Sequence, residues 1–420
     1  MQIEIINTGS ELMLGRVLNT HQQWLCRQLS NLGYVVTRQV AVADEGPQML
    51  PAVRESLTRA DLLITTGGLG PTSDDRTRDL IAKLIGVELV QNEEVLACIT
   101  HFFTSRQRPM PASTTVQALV PHGATVLMNA HGTAPGLVME VPGGKFRVGG
   151  TLLIMLPGPP RELRPMFTDQ VVPLLREKLP GPPDFICRTL KTTGLGESRV
   201  EEIIVPHLKH LTDAGLELGY CARVGEVDLR FVARGCGAQE TVAEAEATVR
   251  RLIGDYIYGT DDESLELAIV QALTVRKQTL ALAESCTGGF IAHRITNVPG
   301  ASAVLWGGAV SYTNDAKTRL LGVNETTLAA HGAVSEPVAR EMAEGARRVA
   351  ASDFAISVTG IAGPDGGSVE KPVGTVFIGL AGAKDTIVQK FLNRFDRETF
   401  KYVTSQQALE MLRRALVAAG

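Results

Sequence analysis

The 420-residue sequence is short of several things, and each shortage removes a class of protein. Phe, Trp and Tyr make up only 5% of the chain, so its cores must be built mainly from aliphatic side chains. The six cysteines, at 26, 98, 187, 221, 236 and 286, form no C-x-x-C pair. This argues against a zinc knuckle or a disulfide framework and for reduced thiols in a cytoplasmic protein. Basic residues do not outnumber acidic ones: 41 Lys and Arg face 45 Asp and Glu, and a net charge of −4 leaves no electrostatic footprint for DNA or RNA. The N-terminus "MQIEIINTGSELM" lacks the basic segment and apolar stretch of a signal peptide, and no run reaches transmembrane length, so no membrane partner is expected.

Glycine, by contrast, is plentiful at 42 residues, which predicts tight turns and close backbone approaches. At one domain per roughly 100–200 residues, the length predicts two to four domains. The first third alternates β-rich runs (Ile3–Ile6, Val35–Val42, Leu62–Thr66) with helical patterns (Asn19–Leu32, Gln48–Leu57), the order of a mainly parallel sheet covered by helices on both faces. Functional loops then belong at the carboxyl ends of the strands. Three qualify: Thr8 to Glu11, Gly67 to Asp75, and Pro157 to Pro160 after Leu152–Leu156.

A proline- and glycine-rich linker is expected at Leu179–Phe185 and a second break near Gly259 to Asp262. This divides the chain into domains at 1–178, 184–258 and 262–420. The middle segment reads as strand, helix (Glu197–Leu211), hairpin (Glu217–Ala233) and helix (Val242–Leu252). Between Asp184 and Tyr256 it carries nine basic against twelve acidic residues, and "TTGLGES" offers no G-x-x-G clamp, so a spacer or dimerisation module fits better than a nucleic-acid binder. His207 and His210 are spaced as two metal ligands would be, but further ligands are lacking nearby. The last segment predicts a helix (Leu265–Arg276), strands at Thr279–Ala283, Val304–Tyr312, Phe354–Thr359 and Thr375–Leu380, and a terminal helix at Thr404–Leu416.

In "TTGGLGPTSDD" (65–75), glycines after a strand let backbone N–H groups approach phosphate, and the hydroxyls of Thr66, Thr72 and Ser73 add donors. No Gly-Lys-Ser/Thr follows, which excludes a Walker P-loop. Asp74 and Asp75 suit a Mg²⁺-type cation held against that phosphate, or alternatively the cap of a helix beginning near Arg76.

That string, with "GSELMLGRVLNTH" and "LPGPPREL", resembles the N-terminal domain of the competence/damage-inducible CinA family, itself similar to molybdopterin-binding domains. The resemblance runs the whole chain, since "AESCTGG" (283–289), "PGASAVLWGGAVSYTNDAKTRLLGV", "GAVSEPVAREMAEGAR" and "TGIAGPDGGSVEKPVGTV" are similar to that family's nicotinamide-nucleotide amidase domain. The resemblance implies a multidomain α/β protein: a three-layer α/β/α molybdopterin-binding-like domain, a small KH-like α+β domain, and an α/β amidohydrolase domain. It implies hydrolysis of nicotinamide mononucleotide (NMN) to nicotinate mononucleotide and ammonia, metal-dependent hydrolysis of the ADP-ribose pyrophosphate, and a homodimer. Glu11, Gly67, Gly68, Gly70, Thr72, Asp74, Asp75, Gly158 and Glu162 would line the N-terminal site. One departure stands out: Asn19-Thr20-His21 replaces the family's Asp-Thr-Asn. The alternatives are a non-hydrolytic pterin- or nucleotide-binding N-terminal half and a nucleic-acid-binding competence factor.

Amide hydrolysis needs a nucleophile, a base and donors for the oxyanion, and no cofactor. Ser285 is the expected nucleophile, with N–H groups around Thr287, Gly288 and Gly289 as donors. Lys317 is the expected base: with Asn314 as N-cap it would sit at N3, where the helix terminus would depress its pKa, giving a Ser-Lys pair with Tyr312 relaying or orienting the proton. Cys286 is expected to be buried and inert, and is the alternative nucleophile. Thr359, Gly360 and Ser302 are candidates for the substrate phosphate, and Arg397 matches a late arginine of the family.

Overall fold

Uninterrupted apolar runs decide the first half of the structure, a computed structural model that describes residues 1–181 and 184–418. Pro182 and Pro183 of the expected linker lie outside the described residues. The chain forms two units, Met1–Phe185 and Ile186–Gly420.

In the first unit the main sheet comprises β1 (Ile3–Thr8), β2 (Val36–Val42), β3 (Leu62–Thr66), β4 (Thr125–Leu127), β5 (Gly136–Val141) and β6 (Thr151–Leu156), in order β2-β1-β3-β6-β5-β4. The four strands from β2 to β6 in that order run parallel, and β5 and β4 add antiparallel pairs. Alternate residues of a strand point to opposite faces, so a run apolar throughout belongs to a strand covered on both. Ile5, Ile64 and Ile154 meet Leu25 and Leu29 of α1 (Thr20–Asn31) and Phe167 of the helical segment 160–178. Ile6, Leu63 and Leu153 meet Val53 and Leu57 of α2 (Gly46–Leu57) and Ile81 of α3 (Thr77–Ile85). Each such side chain is worth roughly 1.5–3 kcal/mol when fully buried. Asn19 starts α1 by accepting from Gln22 N–H at 3.2 Å.

The second unit holds two sheets. The middle module is the antiparallel sheet β8-β9-β7-β10, made of β7 (Ile186–Thr193), β8 (Glu217–Arg223), β9 (Glu226–Ala233) and β10 (Ile257–Thr260). Two helices, Glu197–Asp213 and Ala238–Ile253, pack on it through Val200, Ile204, Val242 and Val249. His210 pairs with Glu244 at 2.9 Å rather than with a metal-ligand set.

The last sheet, β12-β11-β13-β14-β15, comprises β11 (Leu280–Glu284), β12 (Leu305–Val310), β13 (Phe354–Gly360), β14 (Thr375–Ala381) and β15 (Thr386–Leu392). Its first three strands are parallel and the others antiparallel. One face carries Leu280, Leu282, Ile356 and Ile378 against Ile269, Ile291 and Leu409; the other carries Ala281, Ala283 and Ala355 against the Glu336–Ala350 helix. Small residues bring that helix close: a Cβ on Gly379 would lie 2.9 Å from the Ala339 carbonyl. The terminal helix spans Arg397–Ala418, seven residues earlier than the hydrophobic pattern suggests, because Asp396 caps it by accepting from Glu398 and Thr399 N–H at 3.0 Å. The sequence reading also omitted β15.

Candidate functional site

The first unit opens a cavity of about 520 Å³ at the carboxyl rim of its sheet, lined by the three expected loops. Glu11, Gly67, Gly68, Gly70, Asp74, Asp75, Gly158 and Glu162 all line it. Thr72 does not; it holds Asp75 instead, its N–H donating to Oδ2 at 3.0 Å with the hydroxyl on the same oxygen. Neither aspartate caps α3, whose N-cap is Arg76 without a side-chain bond. Glycine is required where the loops touch. Gly67 has φ +97 and a Cβ there would lie 2.6 Å from the Thr8 carbonyl; at Gly68 (φ +66) it would lie 2.0 Å from Thr77 Oγ1. The N–H groups of Gly68, Leu69 and Gly70 find no acceptor among the described residues, leaving a run of donors on the cavity wall.

A Mg²⁺-type ion takes one or two carboxylates and completes its shell with phosphate and water oxygens. Asp74, exposed at the cavity, and the second oxygen of Asp75 fit that donor chemistry. Among the described residues no group of three or more His, Cys, Asp or Glu could hold an ion unaided. Burial pushes the Glu162 carboxyl above its ordinary pKa, against a hydrogen bond from Asn129 Nδ2 at 2.8 Å. His21 and Gln117, absent from the sequence-derived site, also line the cavity.

In the second unit, β11 and β12 are parallel neighbours, so the residues that follow them, Ser285 and Ser311, emerge side by side. Lys317, on the helix Asn314–Leu321, returns to this point: its Nζ lies 3.1 Å from Ser285 Oγ, 2.8 Å from the Ser311 carbonyl and 3.4 Å from the Tyr312 carbonyl. The side chain is only 1% exposed, and burial lowers its pKa. This corrects the expected cause. The N-cap is Thr313, whose Oγ1 accepts from Ala316 N–H at 3.1 Å, so Lys317 sits at N4 and desolvation is the leading cause of the shift.

The expected oxyanion donors are also redistributed. Glu284, buried at the end of β11, accepts N–H bonds from Gly289, Ile291 and Ala292 at 3.0, 3.1 and 2.9 Å, and Gly288 N–H donates to the Ser285 carbonyl. Gly288 and Gly289 are therefore occupied. The N–H groups of Cys286 and Thr287 take no backbone carbonyl among the described residues and stand as the available donors. The Cys286 thiol is buried and pushed up to about 12, chiefly by desolvation, which makes it a poor nucleophile.

Tyr312 reaches Lys317 through its carbonyl only; its exposed hydroxyl accepts from Arg397 at 2.8 Å, and the same guanidinium donates to the Gly363 carbonyl at 2.9 Å. The ring thus sits with Arg397 on the rim rather than in the proton path. Thr359 spends its hydroxyl proton on the Ala333 carbonyl at 2.8 Å, and Ser302 is exposed. Gly360 admits no larger residue easily, since a Cβ would lie 2.9 Å from the Thr375 carbonyl. Glu284, outside the expected site, carried a readable signal, an acidic side chain just ahead of a helix start.

Comparison with known proteins gives three family matches in order along the chain: "Probable molybdopterin binding domain" at 4–177, "Damage-inducible protein CinA KH domain" at 187–259 and "CinA C-terminal domain" at 262–416. A "CinA-like protein" of Akkermansia muciniphila is 44% identical over 414 residues, covering 97% of this chain and 96% of that one. Among solved structures, the competence/damage inducible protein CihA of Agrobacterium tumefaciens is 42% identical, covering 36% of this chain and 93% of that chain with a TM-score of 0.36. The CinA protein of Thermoplasma acidophilum, titled as of unknown function, is 32% identical, covering 41% and 97% with a TM-score of 0.37. No described helix is long and apolar enough to cross a membrane.

Proposed function

The chain belongs to the CinA family, and from that premise we propose that its C-terminal domain hydrolyses the carboxamide of NMN to the carboxylate and ammonia. The observation that carries this reading is the buried Lys317 amine 3.1 Å from Ser285 Oγ. A neutral amine has two N–H donors and one lone pair. The Ser311 and Tyr312 carbonyls use the two donors, and the lone pair is left facing the serine hydroxyl. Lys317 takes the hydroxyl proton as Ser285 Oγ bonds to the carboxamide carbon, and the resulting oxyanion accepts from Cys286 and Thr287 N–H. The Lys317 ammonium returns the proton to the leaving nitrogen, ammonia departs, and water attacks the acyl-serine by the same route. Arg397 and Tyr312, joined on the rim, hold the substrate phosphate.

For the first unit the proposal is a phosphorylated nucleotide site, with ADP-ribose as the substrate. The unpaired N–H groups of residues 68–70 receive phosphate, and Asp74 with Asp75 holds a divalent cation, which when bound offsets pyrophosphate charge. Incubating the full chain with NMN and ADP-ribose separately tests both halves. Ammonia release from NMN is expected to vanish in Ser285→Ala and Lys317→Ala proteins that remain folded; release surviving both changes sinks the mechanism. A pure N-terminal binder would retain ADP-ribose after chelation and yield no AMP. Salt-dependent DNA binding would revive the nucleic-acid reading.

A further inference from the structure

Two buried side-chain atoms of residues that line the N-terminal cavity have no partner among the described residues, and both are acceptors: Gln117 Oε1 and His21 Nδ1. Gln117 lies on the short 3₁₀ turn Ala112–Ala118 and is 1% exposed. Its orientation follows from the Leu69 carbonyl at 3.3 Å, which can only accept and so takes the amide nitrogen, leaving the amide oxygen bare. His21 is fixed the same way: one ring nitrogen, Nε2, is bonded to the Gly158 carbonyl and therefore carries the proton. Burial lowers its pKa, so the ring is neutral and Nδ1 keeps its lone pair. An unsatisfied buried acceptor costs stability, and two in one cavity call for an explanation.

We propose that this cavity selects its phosphorylated ligand through a donor-bearing edge, an amino, amide N–H or hydroxyl group that hydrogen-bonds to Gln117 Oε1 and His21 Nδ1. The inference rests on reading the cavity as a nucleotide site and adds a division of labour. The donors of residues 68–70 and the cation hold the anionic part, whatever it is attached to, while Gln117 and His21 read what the phosphates carry. A bare pyrophosphate satisfies only the first set. A nucleoside diphosphate sugar, rich in hydroxyl and amino donors, satisfies both. Rejection of ligands without those donors follows, because they would leave the two acceptors desolvated and unpaired.

Titration calorimetry of the full chain in Mg²⁺ buffer, with ADP-ribose and with inorganic pyrophosphate, separates the two functions. Gln117→Met and His21→Phe keep the side-chain bulk and remove the unpaired acceptors, together with the N–H donors to the Leu69 and Gly158 carbonyls. Each is expected to weaken ADP-ribose by about tenfold, the scale of one good hydrogen bond, while leaving pyrophosphate affinity unchanged; on the melting temperature, the lost donor to a loop carbonyl and the removed unpaired acceptor act in opposite directions. A merely structural role would weaken both probes together. Equal losses for both probes, or unchanged ADP-ribose affinity in both variants, overturn the inference while leaving the nucleotide reading in place. Failure of the unaltered chain to bind ADP-ribose removes that reading and the inference with it.

Discussion

Replacing Lys317 by methionine tests catalysis and electrostatics in one variant. Methionine follows the path of the lysine stem and deletes Nζ, which contacts Ser285 Oγ, the Ser311 carbonyl and, at longer range, the Tyr312 carbonyl. Loss of a positioned general base costs about 10²- to 10⁴-fold in rate, or roughly 3–5 kcal/mol of barrier. Folding should tolerate the change. The Ser311 carbonyl loses a partner, at about 1–3 kcal/mol, but the buried amine no longer has to be desolvated. The pH dependence then has a definite sign. Because burial holds the Lys317 pKa below its ordinary 10.5, the folded chain binds fewer protons than the unfolded chain between the two values, and wild-type stability climbs as pH rises across that window. Below the depressed pKa the buried charge is a full penalty. Lys317→Met lacks this term, so its stability relative to wild type should be greatest at the low-pH end and shrink as pH approaches about 10.5. Ammonia release from NMN and denaturant unfolding at several pH values measure both effects. Activity within tenfold of wild type, or a stability difference that stays flat with pH, would refute the reasoning.

Cys286→Ala should keep ammonia release within about threefold, and maleimide should leave the native protein active, because a thiol pushed up to about 12 is protonated at neutral pH. Gly68→Ala forces a Cβ to within 2.0 Å of Thr77 Oγ1 at φ +66, so ADP-ribose binding should be lost and the melting temperature lowered while NMN turnover by the other unit continues, as parallel assays on one preparation would reveal. Glu284→Gln turns an amide N–H₂ toward one of three backbone donors, and should cut kcat for NMN about tenfold or more with little change in KM; a rise in KM alone would remove Glu284 from the placement of the nucleophile turn.

What the sequence disclosed and what it withheld divide along physical lines. Leu62–Ile64 and Leu152–Leu156 are apolar at every position, which only a strand covered on both faces requires, so the sheet of the first unit and its rim loops were legible. Ser285 and Lys317 are 32 residues apart, and their meeting could be suspected because strands β11 and β12 each end in a polar turn. Details smaller than one residue of register were not legible. Thr313 and Asn314 are both good N-caps, and the choice of Thr313 moves Lys317 by one position and leaves desolvation, not the helix terminus, as the leading cause of its pKa shift. Gly288 and Gly289 looked like free donors until Glu284 and the Ser285 carbonyl claimed their N–H groups. Gln117 sits in a 3₁₀ turn without any motif, and only its burial beside the cavity distinguishes it.

The middle module, read from its composition as a spacer or dimerisation module, also shares buried polar groups with the C-terminal domain. Glu226, at the start of β9, accepts from Tyr258 at 2.7 Å, Tyr402 at 3.1 Å and Gln406 at 2.9 Å, with Arg223 at 3.5 Å. Two of these partners, Tyr402 and Gln406, belong to the terminal helix of the C-terminal domain, and the Tyr402 hydroxyl is pushed up to about 12, chiefly by burial with Glu226 as the next cause. The amide oxygen of Gln406 in turn accepts from Arg294 at 2.7 Å, on the helix Phe290–Thr296 that follows the nucleophile turn. A buried carboxylate stripped of its donors costs several kcal/mol, so the module and the C-terminal domain have a shared reason to fold as one unit. The same bonds run from β9 through Gln406 to the helix whose first N–H groups Glu284 holds. The position of Ser285 is therefore supported from the middle module as well as from its own sheet, which places that module within the architecture of the Ser285–Lys317 site.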